Sequence, residues 1–310
     1  MSAPAMRKRL GRAAAWLITI GLLYFVFRNI KVADVVASIR GAAPWTVPAC
    51  LASVVAIYLA DSLAIWKTFG WFLAPFSYAE ILVVRGATYL LAAVNYNVGQ
   101  GAIVYFVNRA RGIAVARGVS AVLLIMGINI IALLVLTTVG LFVAPAVPRA
   151  LPLGVAAAWA GLVVYALVVA WKPPFLARHP LFEVLLSAGF AGHLRALAVR
   201  VPHIASLVVL QTSMLHAFGV AVPVGQAIAT LPIVFFIAVL PISVQGLGVT
   251  QWAMIFFYAR YAPGGLEAPI VTASLVSQAI ATTAQVLIGL ACLQSKTGRE
   301  LRAAASAAKG

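Results

Sequence analysis

Two ionisable residues, Asp61 and Arg85, lie within long apolar stretches of the sequence. A charge at the centre of a membrane helix costs roughly 2.5–3.5 kcal/mol on insertion scales, so such residues usually have a binding or transport role. A guanidinium group matches the geometry of phosphate, and a carboxylate can hold it in position. At 1.5 Å per residue, both residues lie roughly 8–11 Å from the same membrane face. They can therefore pair, either to bind a phosphate or only to join two helices.

Polar and glycine residues interrupt two other apolar stretches. They are Asn95, Asn97, Gly99 and Gln100 in the first stretch, and Ser243, Gln245, Gly246, Gly248 and Gln251 in the second. Amide and hydroxyl groups can bond a polar headgroup, and glycines let backbone N–H groups approach it. Alternatively, these side chains only satisfy the hydrogen bonds of a broken backbone. With Asp61 and Arg85 they form the predicted substrate-binding set, and we predict no catalytic residue and no metal site.

The composition indicates which elements must position these residues. Of 310 residues, 64% are apolar and 9% are charged, and the mean hydropathy is +1.06. Soluble domains contain about 45–50% apolar and about 25% charged residues. The fold class is therefore an all-α polytopic membrane protein. The net charge of +16 does not indicate nucleic-acid binding, because the basic residues lie mostly between apolar runs, as they do in membrane proteins.

A helix that crosses the membrane needs about 20 mostly apolar residues. We predict six full spans, near residues 10–28, 44–66, 117–143, 152–171, 203–222 and 269–293. The two interrupted stretches, 78–108 and 224–258, are predicted to be re-entrant helical hairpins, because irregular backbone at membrane depth must be buried in protein. Two full spans followed by polar loops are the alternative. Residues 1–145 and 146–295 would then form two inverted halves, followed by a tail at 296–310.

The distribution of basic residues sets the predicted orientation. With two hairpins, most lysines and arginines fall on one side, which by the positive-inside rule is the cytoplasm. We therefore expect both termini in the cytoplasm and a location in the cell inner membrane. The linker 172–202 mixes arginine and histidine with apolar residues, which is typical of an amphipathic helix on anionic lipid. A plain loop is the alternative.

The second interruption and its flank, Leu-Pro-Ile-Ser-Val-Gln-Gly-Leu-Gly-Val-Thr-Gln at 240–251, resemble a signature of the lysylphosphatidylglycerol synthase transmembrane-region family, a group of flippase-like membrane proteins. The first interruption, Val-Gly-Gln at 98–100 followed by Asn108, Arg109 and Arg111, is similar to that family's other motif. The resemblance implies a lipid-handling membrane domain. Because the chain ends soon after the last predicted span, we expect no soluble domain that charges lipid with an amino acid, and no enzymatic activity.

Two departures from the family pattern bear on the substrate. Gln100 and Gln251 stand where the family usually has glutamate, and Thr250 stands where an arginine is common. A cationic headgroup would favour carboxylates, so we expect a neutral, zwitterionic or anionic lipid.

Three functions remain open at this stage. The first is a lipid flippase or transporter with a membrane lipid as substrate, a cavity between the two hairpins and no cofactor, and a homo-oligomer is compatible with it. The second is a non-catalytic membrane subunit of a lipid or cell-envelope synthesis complex. The third, a membrane glycosyl or lipid transferase, is disfavoured because none of the six acidic residues forms an Asp-x-Asp pair.

Overall fold

The computed structural model describes residue 24 and residues 32–92, 96–240, 246–295 and 298–299, without the side chains of residues 32, 96 and 97. Most of the predicted span 10–28 and most of the tail 296–310 lie outside these residues. All regular structure within the described parts of the chain is helical. The α-helices are α1 (Val32–Gly41), α2 (Thr46–Phe72), α3 (Tyr78–Ala92), α4 (Tyr96–Arg111), α5 (Val115–Val143), α6 (Ala150–Trp171), α7 (Pro174–Ala177), α8 (Glu183–Ser187), α9 (Gly189–Ala217), α10 (Val224–Val239), α11 (Val249–Tyr258) and α12 (Ala268–Gln294).

Five described helices are long and apolar enough to cross a membrane: α2, α5, α6, α9 and α12. They confirm the predicted all-α, multi-pass character of the chain. Helices α5, α6 and α12 closely match the predicted spans, whereas α2 continues past residue 66 to Phe72. Its last residues stay helical because Ile65 and Phe69 are buried in an apolar core shared with α3, α4 and α5.

Helix α9 differs most from the sequence prediction, because it begins at Gly189 and not near residue 203. The segment 172–202 is therefore not one surface helix. Its first part forms α7, a 3-10 turn and α8, and the N–H of Val184 in α8 donates to the hydroxyl of Ser120 in α5 at 3.0 Å. Its second part is the first half of α9. Arginines and Pro202 made this half appear too polar to be part of a long membrane helix.

The first interrupted stretch folds as a helical hairpin of α3 and α4. Glu80, near the start of α3, forms an ion pair of 2.8 Å with Arg111 at the end of α4, so the chain returns to the level at which it began. Gly99 packs closely on Ala92 next to the interruption. The interruption is shorter than predicted, because α4 begins at Tyr96 and includes Gly99 and Gln100 in regular helix.

The second interrupted stretch also turns back on itself, through α10 and α11. The hydroxyls of Thr230 in α10 and Tyr258 in α11 lie 2.7 Å apart. Gly246 lies against Ala238 at the other end of the hairpin. Gly246 and Gly248 have φ values of +70° and +81°, a region that favours glycine, which explains why the helix is interrupted here.

The long helices α2 and α9 pack side by side in opposite directions. The N–H of Ala43, just before α2, donates to the carbonyl of Ala217 at the end of α9, and Phe72 at the end of α2 packs on Gly192 near the start of α9. Each hairpin packs on a long helix from the other part of the chain: α3 lies against α12, and α10 lies against α5. Helix α6 contributes only Val155 and Val169 to the buried interior.

Candidate functional site

A buried cluster of charged side chains lies where α2, α3 and α9 meet. Asp61 of α2 is 1% exposed, and its two carboxylate oxygens bind different arginines. Oδ2 accepts from Nε of Arg85 in α3, and Oδ1 accepts from Nη1 of Arg200 in α9, each at 2.5 Å. The two residues that the sequence predicts can pair therefore do so, and a second arginine joins them.

Further side chains hold the two arginines in place. Nε of Arg200 donates to Oδ1 of Asn129 in α5 at 3.0 Å. The guanidinium of Arg85 lies over the ring of Tyr89, 4.8 Å from its centroid. Next to them, Nδ1 of His203 lies 3.4 Å from the carbonyl oxygen of Ile57. Four helices thus contribute polar groups to one small volume at the middle of α2 and α9.

The cluster forms a polar layer between two apolar cores. One core surrounds the second hairpin and includes Ile57 and Val208, and the other surrounds the first hairpin and includes Ile65 and Ala196. Asp61 lies one helical turn after Ile57 and one turn before Ile65. The three residues share one face of α2, because residues four apart lie on the same face of a helix. The polar layer therefore lies where α2 packs against α9.

The described side chains of the cluster carry two positive charges and one negative charge. Arg85 is 7% exposed and Arg200 is 5% exposed, so water screens the excess charge poorly. Burying a charge costs several kcal/mol unless an opposite charge compensates it. Two guanidinium groups thus lie close to one carboxylate, and guanidinium groups are also the donors that match the oxygens of a phosphate. The cluster is closed to solvent in this conformation.

The sequence predicts that the basic residues of the linker 172–202, including Arg200, lie at the cytoplasmic surface. The structure corrects this for Arg200, which is buried against Asp61. The residue stood in a stretch that also contains Arg195, His193 and Pro202, and the whole stretch appeared too polar for a span. The spacing of residues in the sequence could have identified Arg200 as buried. Ala196, Arg200 and Ile204 are spaced by four, so they lie on one helix face, and the structure buries all three.

The other predicted site residues are distributed between the two hairpins. Asn95, Ser243, Gln245 and the side chain of Asn97 lie outside the described residues. Gly99 and Gln100 belong to α4, where Gln100 is buried. Gly246 and Gly248 lie between α10 and α11.

Gln251 has a clear structural role at the start of α11. It is fully buried, its Oε1 accepts from the N–H of Gly248 at 2.7 Å, and its Nε2 donates to the hydroxyl of Ser274 in α12 at 3.0 Å. The side chain thus caps α11 and holds it on α12. This arrangement matches the alternative in which polar side chains satisfy the interrupted backbone. Gly248 and Gln251 form a hydrogen-bonded group separate from that of Asp61.

An apolar groove of about 480 Å³ lies between α5, α6 and α10. Gly127, Gly154 and Gly161 line it, and a Cβ atom at each would meet open space. Along α6 the groove extends from Leu151 to Tyr165, about 21 Å at 1.5 Å per residue. The hydroxyl of Tyr165 bonds to Nε2 of His193 at 2.6 Å, which places one polar pair at its end.

Nothing in the described residues brings three histidine, cysteine, aspartate or glutamate side chains close enough together to hold a metal ion. No protein-family model matches the chain, and no curated protein matches it. A function must therefore be argued from the sites themselves.

Proposed function

We propose that this multi-pass membrane protein moves a phosphate-bearing lipid, zwitterionic or anionic, from one leaflet to the other. The observation that carries the proposal is the buried cluster of Asp61, Arg85 and Arg200. Ionisable residues at this depth are costly and usually mark the path of a substrate. The family resemblance of the second interruption agrees with a lipid substrate and remains a prediction.

A phosphate group suits the cluster for two reasons. Arginine presents several N–H donors in a plane, which match the oxygens of phosphate. The cluster also has one more positive than negative charge among its described side chains, so a bound phosphodiester would neutralise it. Asp61 then keeps both guanidinium groups oriented when no lipid is bound. When a phosphate arrives, it competes with the carboxylate for the same N–H groups.

The order in which helices pack supports an inverted repeat. If α1 to α5 are matched with α8 to α12, the contacts of one half recur in the other. Five contacts recur in this way. The contact α3–α12 corresponds to α10–α5, α2–α3 to α9–α10, α4–α5 to α11–α12, α5–α9 to α12–α2, and α1–α12 to α8–α5.

The directions of the helices support inversion as well as repetition. The matched helices α2 and α9 run in opposite directions, as the contact between Ala43 and Ala217 requires. Two halves related in this way enter the membrane from opposite faces, as in many transporters, whose substrate sites lie near the midplane where the halves meet. The ion pair of Asp61 and Arg200 joins the matched helices near their middles, which agrees with such a site.

The apolar groove offers a place for an acyl chain during this movement. It lies beside α5, whose Asn129 contacts Arg200, and its wall includes Leu133, one helical turn from Asn129 on the same face of α5. A headgroup at the cluster and a chain in the groove would therefore contact neighbouring positions of α5. The predicted cavity between the two hairpins is replaced in this proposal by a groove that is open toward lipid.

Reconstituted vesicles test the proposal. The full chain is placed in phosphatidylcholine vesicles that contain a trace of fluorescent phospholipid, and an impermeant reductant bleaches the outer leaflet. We expect the protein to expose the inner-leaflet label as well. Arg200→Gln should lower the rate at least about tenfold, because a hydrogen bond to a charged group contributes roughly 1.5–3 kcal/mol.

The matched control lies on the same helix. Arg195 is exposed, so Arg195→Gln removes one positive charge from α9 without touching the cluster and should leave the rate unchanged. Equal bleaching in protein-free and protein-containing vesicles would contradict transport. It would favour the alternative of a non-catalytic membrane subunit, in which the cluster only joins three helices.

A further inference from the structure

A second polar site lies at the base of the hairpin formed by α10 and α11. Gln226, near the start of α10, is fully buried, and among the described residues neither its amide nitrogen nor its amide oxygen has a hydrogen-bond partner. The side chain lines a cavity of about 340 Å³ together with Pro148, Phe256, Phe257 and Arg260. A buried carboxamide without partners is costly, and the cavity is the space from which a ligand can supply them.

The first hairpin shows what closes such a base. Glu80 is the third residue of α3, and it forms an ion pair with Arg111, the last residue of α4. Gln226 is likewise the third residue of α10, and Arg260 is the second residue after the end of α11. The two hairpins therefore place an arginine of the returning segment beside the third residue of the entering helix. Only in the first hairpin is that third residue a carboxylate.

Without a carboxylate opposite it, Arg260 adopts a different position. Its Nη2 donates to the carbonyl of Ala146 at 2.8 Å, and its guanidinium lies over the ring of Tyr261 at 4.7 Å. The side chain is exposed, and a guanidinium group has five N–H donors, more than the bond to Ala146 uses. The cavity therefore lies between a buried neutral amide and an exposed cation, and no described carboxylate lines it.

We infer that this cavity binds an oxyanion that also carries a hydrogen-bond donor, such as a phosphodiester with a hydroxyl group. The NH₂ group of Gln226 donates to the oxyanion, and the amide oxygen accepts from the donor of the ligand. The guanidinium of Arg260 supplies the positive charge at the mouth. The cavity also lies at the start of α10, whose backbone dipole favours an anion there.

The size of the cavity agrees with a small headgroup. One water molecule occupies about 30 Å³ of liquid, far less than this volume. Pockets for small ligands begin at about 300 Å³. The phenyl rings of Phe256 and Phe257 provide apolar contacts for the remainder of a headgroup. The inference does not depend on lipid transport, because the cavity is built from α10, α11 and the segment between α5 and α6, away from Asp61.

Calorimetric titration of the full chain in a maltoside detergent, which contains no phosphate, tests the inference. The two probes are inorganic phosphate and short-chain, water-soluble dihexanoylphosphatidylglycerol. We expect saturable binding that Gln226→Glu weakens at least about tenfold, because the new carboxylate pairs with Arg260 as Glu80 pairs with Arg111. Arg260→Gln should weaken binding similarly. Arg178→Gln, an exposed arginine outside the cavity, is the control and should bind as wild type does.

Each outcome decides a specific point. Binding of phosphatidylglycerol alone identifies a lipid headgroup, whereas binding of phosphate by itself identifies a free ion. If neither probe binds, or if both variants bind as tightly as wild type, the cavity holds only water and the inference is wrong. Arg260→Gln changes an exposed side chain, so it remains decisive if Gln226→Glu fails to fold. The Asp61 cluster is intact in all variants, so any binding there is common to them, and the difference between wild type and the two cavity variants reports on the cavity alone.

Discussion

Asp61 and Arg200 are 139 positions apart in the chain, yet the guanidinium of Arg200 binds the Asp61 carboxylate at the crossing of α2 and α9. The same carboxylate binds Arg85 through its other oxygen. One buried negative charge thus binds an arginine of the first hairpin, Arg85 of α3, and an arginine of the long helix α9. The contact ties together the two parts of the chain that pack in opposite directions.

Removing the central carboxylate should destabilise the protein strongly. Asp61→Asn removes the carboxylate that both buried guanidinium groups bind, and removing one partner of a buried pair costs about 3–5 kcal/mol. We expect a marked drop in the melting temperature of the detergent-solubilised chain. The double variant Asp61→Asn with Arg200→Gln should be more stable than Asp61→Asn, because it also removes one of the two buried positive charges. The stability effects of substitutions within one charged network do not add. A double variant that is less stable than the single one would contradict this account.

Two helical glycines, one at a packed interface and one facing open space, should respond in opposite ways to replacement by alanine. A Cβ atom on Gly140 of α5 would overlap the backbone of Ala229 in α10, so Gly140→Ala should cost about 1–3 kcal/mol. A Cβ atom on Gly161 of α6 meets nothing within 4 Å, so Gly161→Ala should gain up to about 1 kcal/mol from helix propensity. Thermal unfolding of the two variants measures the difference. Equal shifts would mean that α5 and α10 are not in close contact.

Much of the fold follows from apolar length and composition. Helices α5, α6 and α12 were predicted closely because each is uniformly apolar over a membrane thickness. The first half of α9 was not predicted as part of a span, because a local count of polar residues ignores the side chains they pair with. Arg200 is compatible with a buried helix only when Asp61 neutralises it. Long-range pairing of this kind is invisible in a local window. The cavity at Gln226 was missed for the same reason, since its wall unites residues from three distant segments.

Cysteine labelling tests the orientation of α5 and α6 in the membrane. Exposed alanines are replaced in a chain that lacks Cys50 and Cys292, and impermeant thiol reagents are applied from each side. Ala114→Cys and Ala177→Cys should react from the cytoplasmic side, because basic residues such as Arg111 and Arg178 accompany them. Ala146→Cys lies between α5 and α6 and should react from the opposite side. Reaction of all three from one side would contradict two crossings by these helices.

The last prediction separates a structural amide from a binding one. Gln251 uses its amide oxygen on Gly248 and its amide nitrogen on Ser274, and both bonds are buried. Gln251→Ala should therefore lower stability by about 1–3 kcal/mol, because it leaves the buried N–H of Gly248 without its acceptor. Ser274→Ala should cost less, since the Gly248 bond remains. Transport per folded molecule should be unchanged in both variants. If Gln251→Ala abolished transport while its melting temperature stayed that of wild type, Gln251 would contact the substrate and the capping role would be secondary.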